Sequence, residues 1–158
     1  MIRLDIGCGP TVEDGWIGVD PAGDGEAVDR SPAWDLPYED GTVDKIRCHH
    51  ALEHFPPEML DETMAEWLRV LKPGGTVDVS VPDAAYVLQY LIDHPTDPWA
   101  TIMVFGRKGY PGDEHRTAWD RRRLENLFEF SGFEISPSPV LWDEFHQQES
   151  IYLMAAKP

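Results

Sequence analysis

The chain has 158 residues and a formal charge of −16, set by 13 Lys and Arg against 29 Asp and Glu, with 42% hydrophobic and 11% aromatic residues. That is enough apolar content for a single domain spanning 1–158, and six Trp and six Phe exclude a disordered chain, while no apolar run approaches the roughly 20 residues of a membrane span. The negative charge disfavours a duplex nucleic-acid partner, and two cysteines, Cys8 and Cys48, make neither a disulfide framework nor a Cys-based metal site.

Met1 leads straight into a patterned segment with no basic and apolar leader, so a cytoplasmic protein is expected. Residues 2–6 alternate apolar and polar and then meet Gly7-Cys8-Gly9-Pro10, which predicts a short first strand ending in a tight loop. Trp16 to Asp20 is the second strand, Glu26 to Asp29 a weak third and Val43 to Cys48 a fourth, separated by turn-rich Pro, Gly and Asp segments. Only residues 7–15 lie between the first two strands, fewer than a parallel crossover usually needs, so any helix there is a single turn.

From Glu58 the period becomes helical through Leu60, Met64, Trp67, Leu68 and Leu71, and Lys72-Pro73-Gly74-Gly75 reads as the stop. Val77, Val79 and Val81 alternate as a fifth strand, after which Asp83 is placed to cap a helix carrying Val87, Leu88, Leu91 and Ile92 on one side. Residues 94–116 read as irregular. Thr117-Ala118-Trp119-Asp120 resembles a capping box for a helix with Leu124, Leu127 and Phe128, ended by Ser131-Gly132. Phe133 to Val140 and Ser150 to Ala156 complete seven strands. The last is expected to pair antiparallel, because too few residues follow Val140 for a helical crossover. Strands alternating with helices predict an α/β fold, with ligands at the carboxyl ends of a mostly parallel sheet.

A Gly-x-Gly after a strand lets backbone N–H groups approach a ligand closely. The dinucleotide version needs a third glycine, where this chain has Val12, and an acid about 20 residues on, whereas Asp20 follows Gly7 too soon. A nicotinamide oxidoreductase is therefore disfavoured. The ordered set Asp5-Ile6-Gly7-Cys8-Gly9-Pro10, Gly15 to Asp20, Leu36 to Gly41, His50 to Phe55, Arg69 to Gly75 and Val81 to Asp83, followed by His115 and Gly132-Phe133, resembles the small type of class I S-adenosylmethionine-dependent methyltransferase.

The resemblance implies a Rossmann-like, doubly wound seven-stranded sheet in a minimal version without the preceding helices that often cover the cofactor. The pocket is then open on one side or covered by a second copy in a homo-oligomer. It further implies S-adenosyl-L-methionine as cofactor and S-adenosyl-L-homocysteine as product. Asp5 would order the loop and meet the methionine ammonium, Gly7 and Gly9 would admit the cofactor, and Asp20 would accept the ribose hydroxyls. Asp29 or Asp35 would lie near the adenine amine, with Cys8, Leu36 and His49 completing the set. The expected activity is methyl transfer to a small-molecule or saccharide-like acceptor, the alternative being an inactive partner subunit that binds the same cofactor.

His50-Ala51-Leu52-Glu53-His54 spells a zinc-peptidase helix motif, but Pro56-Pro57 leaves little helix to carry it. Some methyltransferases resembling this chain hold a divalent cation with Glu-x-x-Glu-His and a distant His. Here His50 stands where the first Glu would be, and with Glu53, His54 and His115 it would offer three nitrogens and one carboxylate to zinc or iron; the preferred expectation is that Glu53 and His54 line the pocket without a metal. His54 and His115 are the candidate proton acceptors. Ten carboxylates crowd Glu13 to Asp44 with only Arg30 among them, whereas Arg107, Lys108, Arg116, Arg121, Arg122 and Arg123 cluster downstream, which suggests an anionic acceptor.

Overall fold

The computed structural model describes residues 1–23, 28–109, 111–136 and 150–158. Strands β1 (Arg3–Ile6), β2 (Ile17–Val19), β3 (Val28–Asp29), β4 (Val43–His49), β5 (Leu71–Pro82), β6 (Glu134–Ile135) and β7 (Ser150–Ala156) form one sheet in the order β3-β2-β1-β4-β5-β7-β6. The pairings from β3 through β5 are parallel, and β7 runs antiparallel to both β5 and β6. This is the expected doubly wound sheet with an antiparallel last strand. Its strand order reverses between β1 and β4, the point where such sheets open a crevice at their carboxyl ends. The third and sixth predicted strands run into residues 24–27 and 137–149, outside the described residues.

Helix α1 (Leu60–Val70) follows a 3-10 turn at Pro57–Met59 and buries Leu60, Thr63, Met64, Trp67 and Val70. This is the amphipathic stripe that its 3.6-residue period prescribes. Leu71 turns extended at once and opens β5, so Lys72-Pro73-Gly74-Gly75 lies within a strand rather than in a loop. Gly74 takes φ +74°, and the segment is tied to the chain end by Gly74 N–H to the Lys157 carbonyl and Lys157 N–H to the Gly75 carbonyl, both 2.9 Å.

Asp83 caps α2 (Ala84–Asp93), its Oδ1 accepting from Ala85 N–H at 2.9 Å. The helix buries Val87 alone, leaving Leu88 51% and Ile92 70% exposed, so its apolar face is only partly used. Residues 94–116 are not uniformly irregular as read. Asp97 caps and Pro98 begins α3 (Pro98–Phe105), a signal that the surrounding prolines and glycines obscured. In α4 (Arg121–Ser131) the cap is Asp120, accepting from Arg123 N–H at 2.7 Å, and Gly132 closes the helix at φ +98°. Thr117 instead docks on Glu53. The core lies between the sheet and the helices, with Leu4, Ile46, Val77 and Val79 facing Trp67, Leu124 and Phe128. No helix among the described residues is long and apolar enough to cross a membrane.

Candidate active site

A cavity of about 260 Å³ opens at the carboxyl ends of β1, β2 and β4, where Gly7, Asp20 and His50 meet Trp34, His54 and Arg116. No helix joins β1 to β2. The short connection instead folds back as the glycine loop, with Gly7 N–H on the Val19 carbonyl at 2.7 Å. Gly7 has φ +71°, and a Cβ there would lie 2.2 Å from Ala51 Cβ, so only glycine permits this approach of loop to strand end. Asp20 braces the loop. Its Oδ2 accepts from Gly9 N–H and its Oδ1 from Ala22 N–H, both at 2.9 Å, which aims the carboxylate along the cavity wall.

The acid-rich segment after β3 forms a second wall. Leu36 N–H donates to Glu66 Oε1 at 2.7 Å, while Arg69 bonds Glu66 and the Leu36 and Tyr38 carbonyls. This clip fastens the segment to α1, and Trp67 Nε1–H adds a bond to the Ala33 carbonyl at 3.1 Å. The arrangement delivers Ala33 and Trp34 to the cavity, where the Trp34 ring meets Phe55 edge-on at 6.3 Å between centroids.

Of the residues expected to hold a cofactor, Gly7 and Asp20 line this cavity. Asp5 sits beneath it, its two oxygens accepting from Arg47 Nε at 3.0 Å and Nη2 at 2.6 Å. Leu36 is buried in the core, Asp35 is exposed, and Asp29 accepts from Ser31 N–H and Oγ–H at 2.9 and 2.6 Å. His49 lies 3.4 Å from Asp78. Cys8 packs behind the loop, where burial first and then the carboxylates of Asp20 and Asp5 push its thiol up to about 11. Ala33, Trp34 and Phe55 escaped the reading because apolar residues beside Pro and Asp look like ordinary loop packing.

The histidines do converge. A 3-10 turn at Leu52–His54 carries Glu53 and His54, and the Glu53 carbonyl accepts from Arg116 and Thr117 N–H at 2.8 and 3.1 Å, which draws the distant His115 alongside. The His54 and His115 rings meet edge-on at 4.8 Å. Burial, the largest influence, holds the His115 imidazole below its usual range and so favours the neutral form. His54 and His50 line the larger cavity; Glu53 and His115 line a smaller neighbour of about 60 Å³ with Met103 and Trp119. From the basic cluster only Arg116 reaches the larger cavity. Arg121 faces Glu125 at 3.6 Å, and Arg123 bonds the Ala118 carbonyl at 2.7 Å above the Trp119 ring.

Strand order, crevice and glycine loop together define a doubly wound α/β domain with its cavity at the topological switch point. Residues 18–78 match the family described as a methyltransferase domain. The fold is similar to a SAM-dependent methyltransferase of Methanosarcina mazei (TM-score 0.64, 19% identity, 98% of this chain and 91% of that one) and to one of Archaeoglobus fulgidus (0.62, 19%, 98% and 85%). It is also similar to the Burkholderia thailandensis 1,6-didemethyltoxoflavin-N1-methyltransferase with bound 1,6-didemethyltoxoflavin and S-adenosylhomocysteine (0.63, 16%, 99% and 70%). At these identities the similarity speaks to fold. A curated relative, an uncharacterized 37.1 kDa protein in transposon TN4556 of Streptomyces fradiae, is 32% identical over an alignment of 104 residues; the match covers 51% of this chain and 30% of that protein. The match to a methyltransferase-domain family is thus confined to residues 18–78, on a fold similar to that of SAM-dependent methyltransferases.

Proposed function

We propose that the protein transfers a methyl group from S-adenosylmethionine to a small-molecule or saccharide-like acceptor bearing an anionic group, in the cytoplasm. The observation that carries the reading is the pairing of Asp20 with the Gly7–Gly9 loop on one cavity wall. The donor set suits the cofactor, which brings a ribose diol, an adenine and an amino acid but no phosphate. A carboxylate at the end of β2 accepts from a diol, and positive-φ glycines admit a close approach. Trp34 and Phe55 supply an apolar wall of the kind that buries a purine.

When bound, S-adenosylmethionine would supply an electrophilic methyl carbon for displacement by an acceptor lone pair, with S-adenosylhomocysteine as the leaving product. The protein's share is alignment, since displacement needs the acceptor atom in line with the bond that breaks. Proton removal from a hydroxyl acceptor falls to His54 or His115, of which His115 is kept neutral by its burial. Arg116 is the cation placed to meet an acceptor carboxylate or phosphate. Asp29 or Asp35 is assigned to the adenine side on the resemblance alone.

Calorimetry with S-adenosylhomocysteine and with NAD tests the cofactor. Heat with the first and none with the second is expected, and Asp20→Ala should weaken binding by about 1.5–3 kcal/mol, the range for hydrogen bonds to a charged group. A folded protein silent to S-adenosylhomocysteine overturns the reading. Mass analysis of candidate acceptors after incubation with S-adenosylmethionine then separates turnover from an inactive partner subunit that merely binds.

A further inference from the structure

We propose that Glu53, His54 and His115 form a binding site for a divalent first-row transition cation such as Zn²⁺, contrary to the metal-free pocket expected from the sequence. One ligand atom from each residue lies within 4.8 Å of the others. Two ligands of a tetrahedral cation are about 3.4 Å apart at bond lengths near 2.1 Å, so side-chain rotation has a short distance to close. Two further observations point to a ligand.

Glu53 is 2% exposed, and its Oε2 has no hydrogen-bond partner among the described residues. A buried carboxyl oxygen without a partner is costly unless something fills the position. Both imidazoles are also already oriented from behind. His54 Nδ1 lies 3.2 Å from the Glu114 carbonyl and His115 Nδ1 lies 2.9 Å from the Met103 carbonyl. Each carbonyl selects the tautomer with hydrogen on Nδ1 and leaves the Nε2 lone pair for a cation, the arrangement that fixes metal-bound histidines. The backbone ties from Glu53 to Arg116 and Thr117 hold the two parts of the chain together before any cation arrives.

Two imidazoles and one carboxylate favour Zn²⁺ or a neighbouring transition ion over Mg²⁺ or Ca²⁺, which take oxygen ligands. Three protein ligands leave a coordination position open, as catalytic zinc sites do. Any use of that position to activate an acceptor hydroxyl rests on the methyl-transfer reading; cation binding does not. A ligated Nε2 has no lone pair for the acceptor's proton, so the cation replaces the histidines as the source of activation wherever it is bound.

The test titrates chelator-treated full-length protein with Zn²⁺ alone and with Mg²⁺ alone, alongside a separate S-adenosylhomocysteine titration of the same preparation. One equivalent of zinc, confirmed by elemental analysis, with no comparable magnesium binding is expected. Glu53→Gln and His115→Gln should each weaken zinc by about 100-fold or more with unchanged circular dichroism, while His94→Gln, an exposed histidine elsewhere on the surface, leaves it intact. Folded wild-type protein that takes up no zinc, or zinc affinity unchanged in both variants, overturns the site. Zinc binding without S-adenosylhomocysteine binding overturns the methyltransferase reading alone, and the reverse result overturns the cation site alone.

Discussion

Asp5 and Arg47 stand opposite one another in the parallel β1–β4 register, and the guanidinium closes a two-pronged ion pair on both carboxylate oxygens at 3.0 and 2.6 Å. Arg47 also reaches Glu13 at 2.8 Å and stacks 4.2 Å over the Trp16 ring, pinning the β1–β2 connection to the sheet. Removing one partner of such a pair strands a buried charge, so Asp5→Ala should lower stability by about 3 kcal/mol, read from the denaturation midpoint. S-adenosylhomocysteine affinity measured well below that transition should change less than it does in Asp20→Ala. A larger loss in the Asp5 variant would return Asp5 to direct contact with the cofactor.

Gly7→Ala adds a methyl that meets Ala51 Cβ and occupies a left-handed conformation. The backbone penalty is about 1–2 kcal/mol, and overpacking adds about 1–3 kcal/mol. The double variant with Ala51→Gly should recover the packing part and keep the backbone part. Equal stability of the single and double variants would show that the loop moves aside instead.

The Cys8 thiol, raised from 9.0 to about 11 by burial and the neighbouring Asp20 and Asp5 carboxylates, should be a poor nucleophile at neutral pH. At pH 8 its thiolate fraction is about one hundredth of that of an ordinary thiol, so alkylation by iodoacetamide should be correspondingly slow and accelerate as pH rises toward 11. Asp20→Asn removes one of the raising charges and should speed the reaction at pH 8. Cys48, wholly buried, stays unmodified in the folded protein.

Arg116→Ala should raise the KM for an anionic acceptor while leaving cofactor affinity unchanged, and the effect should shrink with added salt. Arg121→Ala and Arg122→Ala, on the exposed first turn of α4, should leave the kinetics at wild-type values. Equal effects from all three would point to the summed surface potential rather than to one contact.

Local pattern determined a good deal of this protein. β7 begins and ends where alternation and the lack of a crossover placed it, the antiparallel turn of the sheet included. The α1 stripe, the Asp83 cap and the glycine loop follow from residue period and backbone permission, which act within a few residues and so are written in them. α3 escaped because its Asp97-Pro98 start is short and sits among breakers, and α2 shows more apolar surface than its neighbours bury. Of the residues named from the sequence, Gly7 and Asp20 reach the cavity where a motif constrains the backbone, and His54 and Arg116 line it as well. Tertiary structure alone decided that Asp5 serves Arg47 and that Leu36 enters the core while Trp34 faces the cavity, and it brought His115 beside Glu53 and His54, which the resemblance had grouped. Those outcomes depend on strand register and on hydrogen bonds between segments about 30 to 60 residues apart, and no local spacing encodes which of several acids or histidines such a bond brings to the crevice.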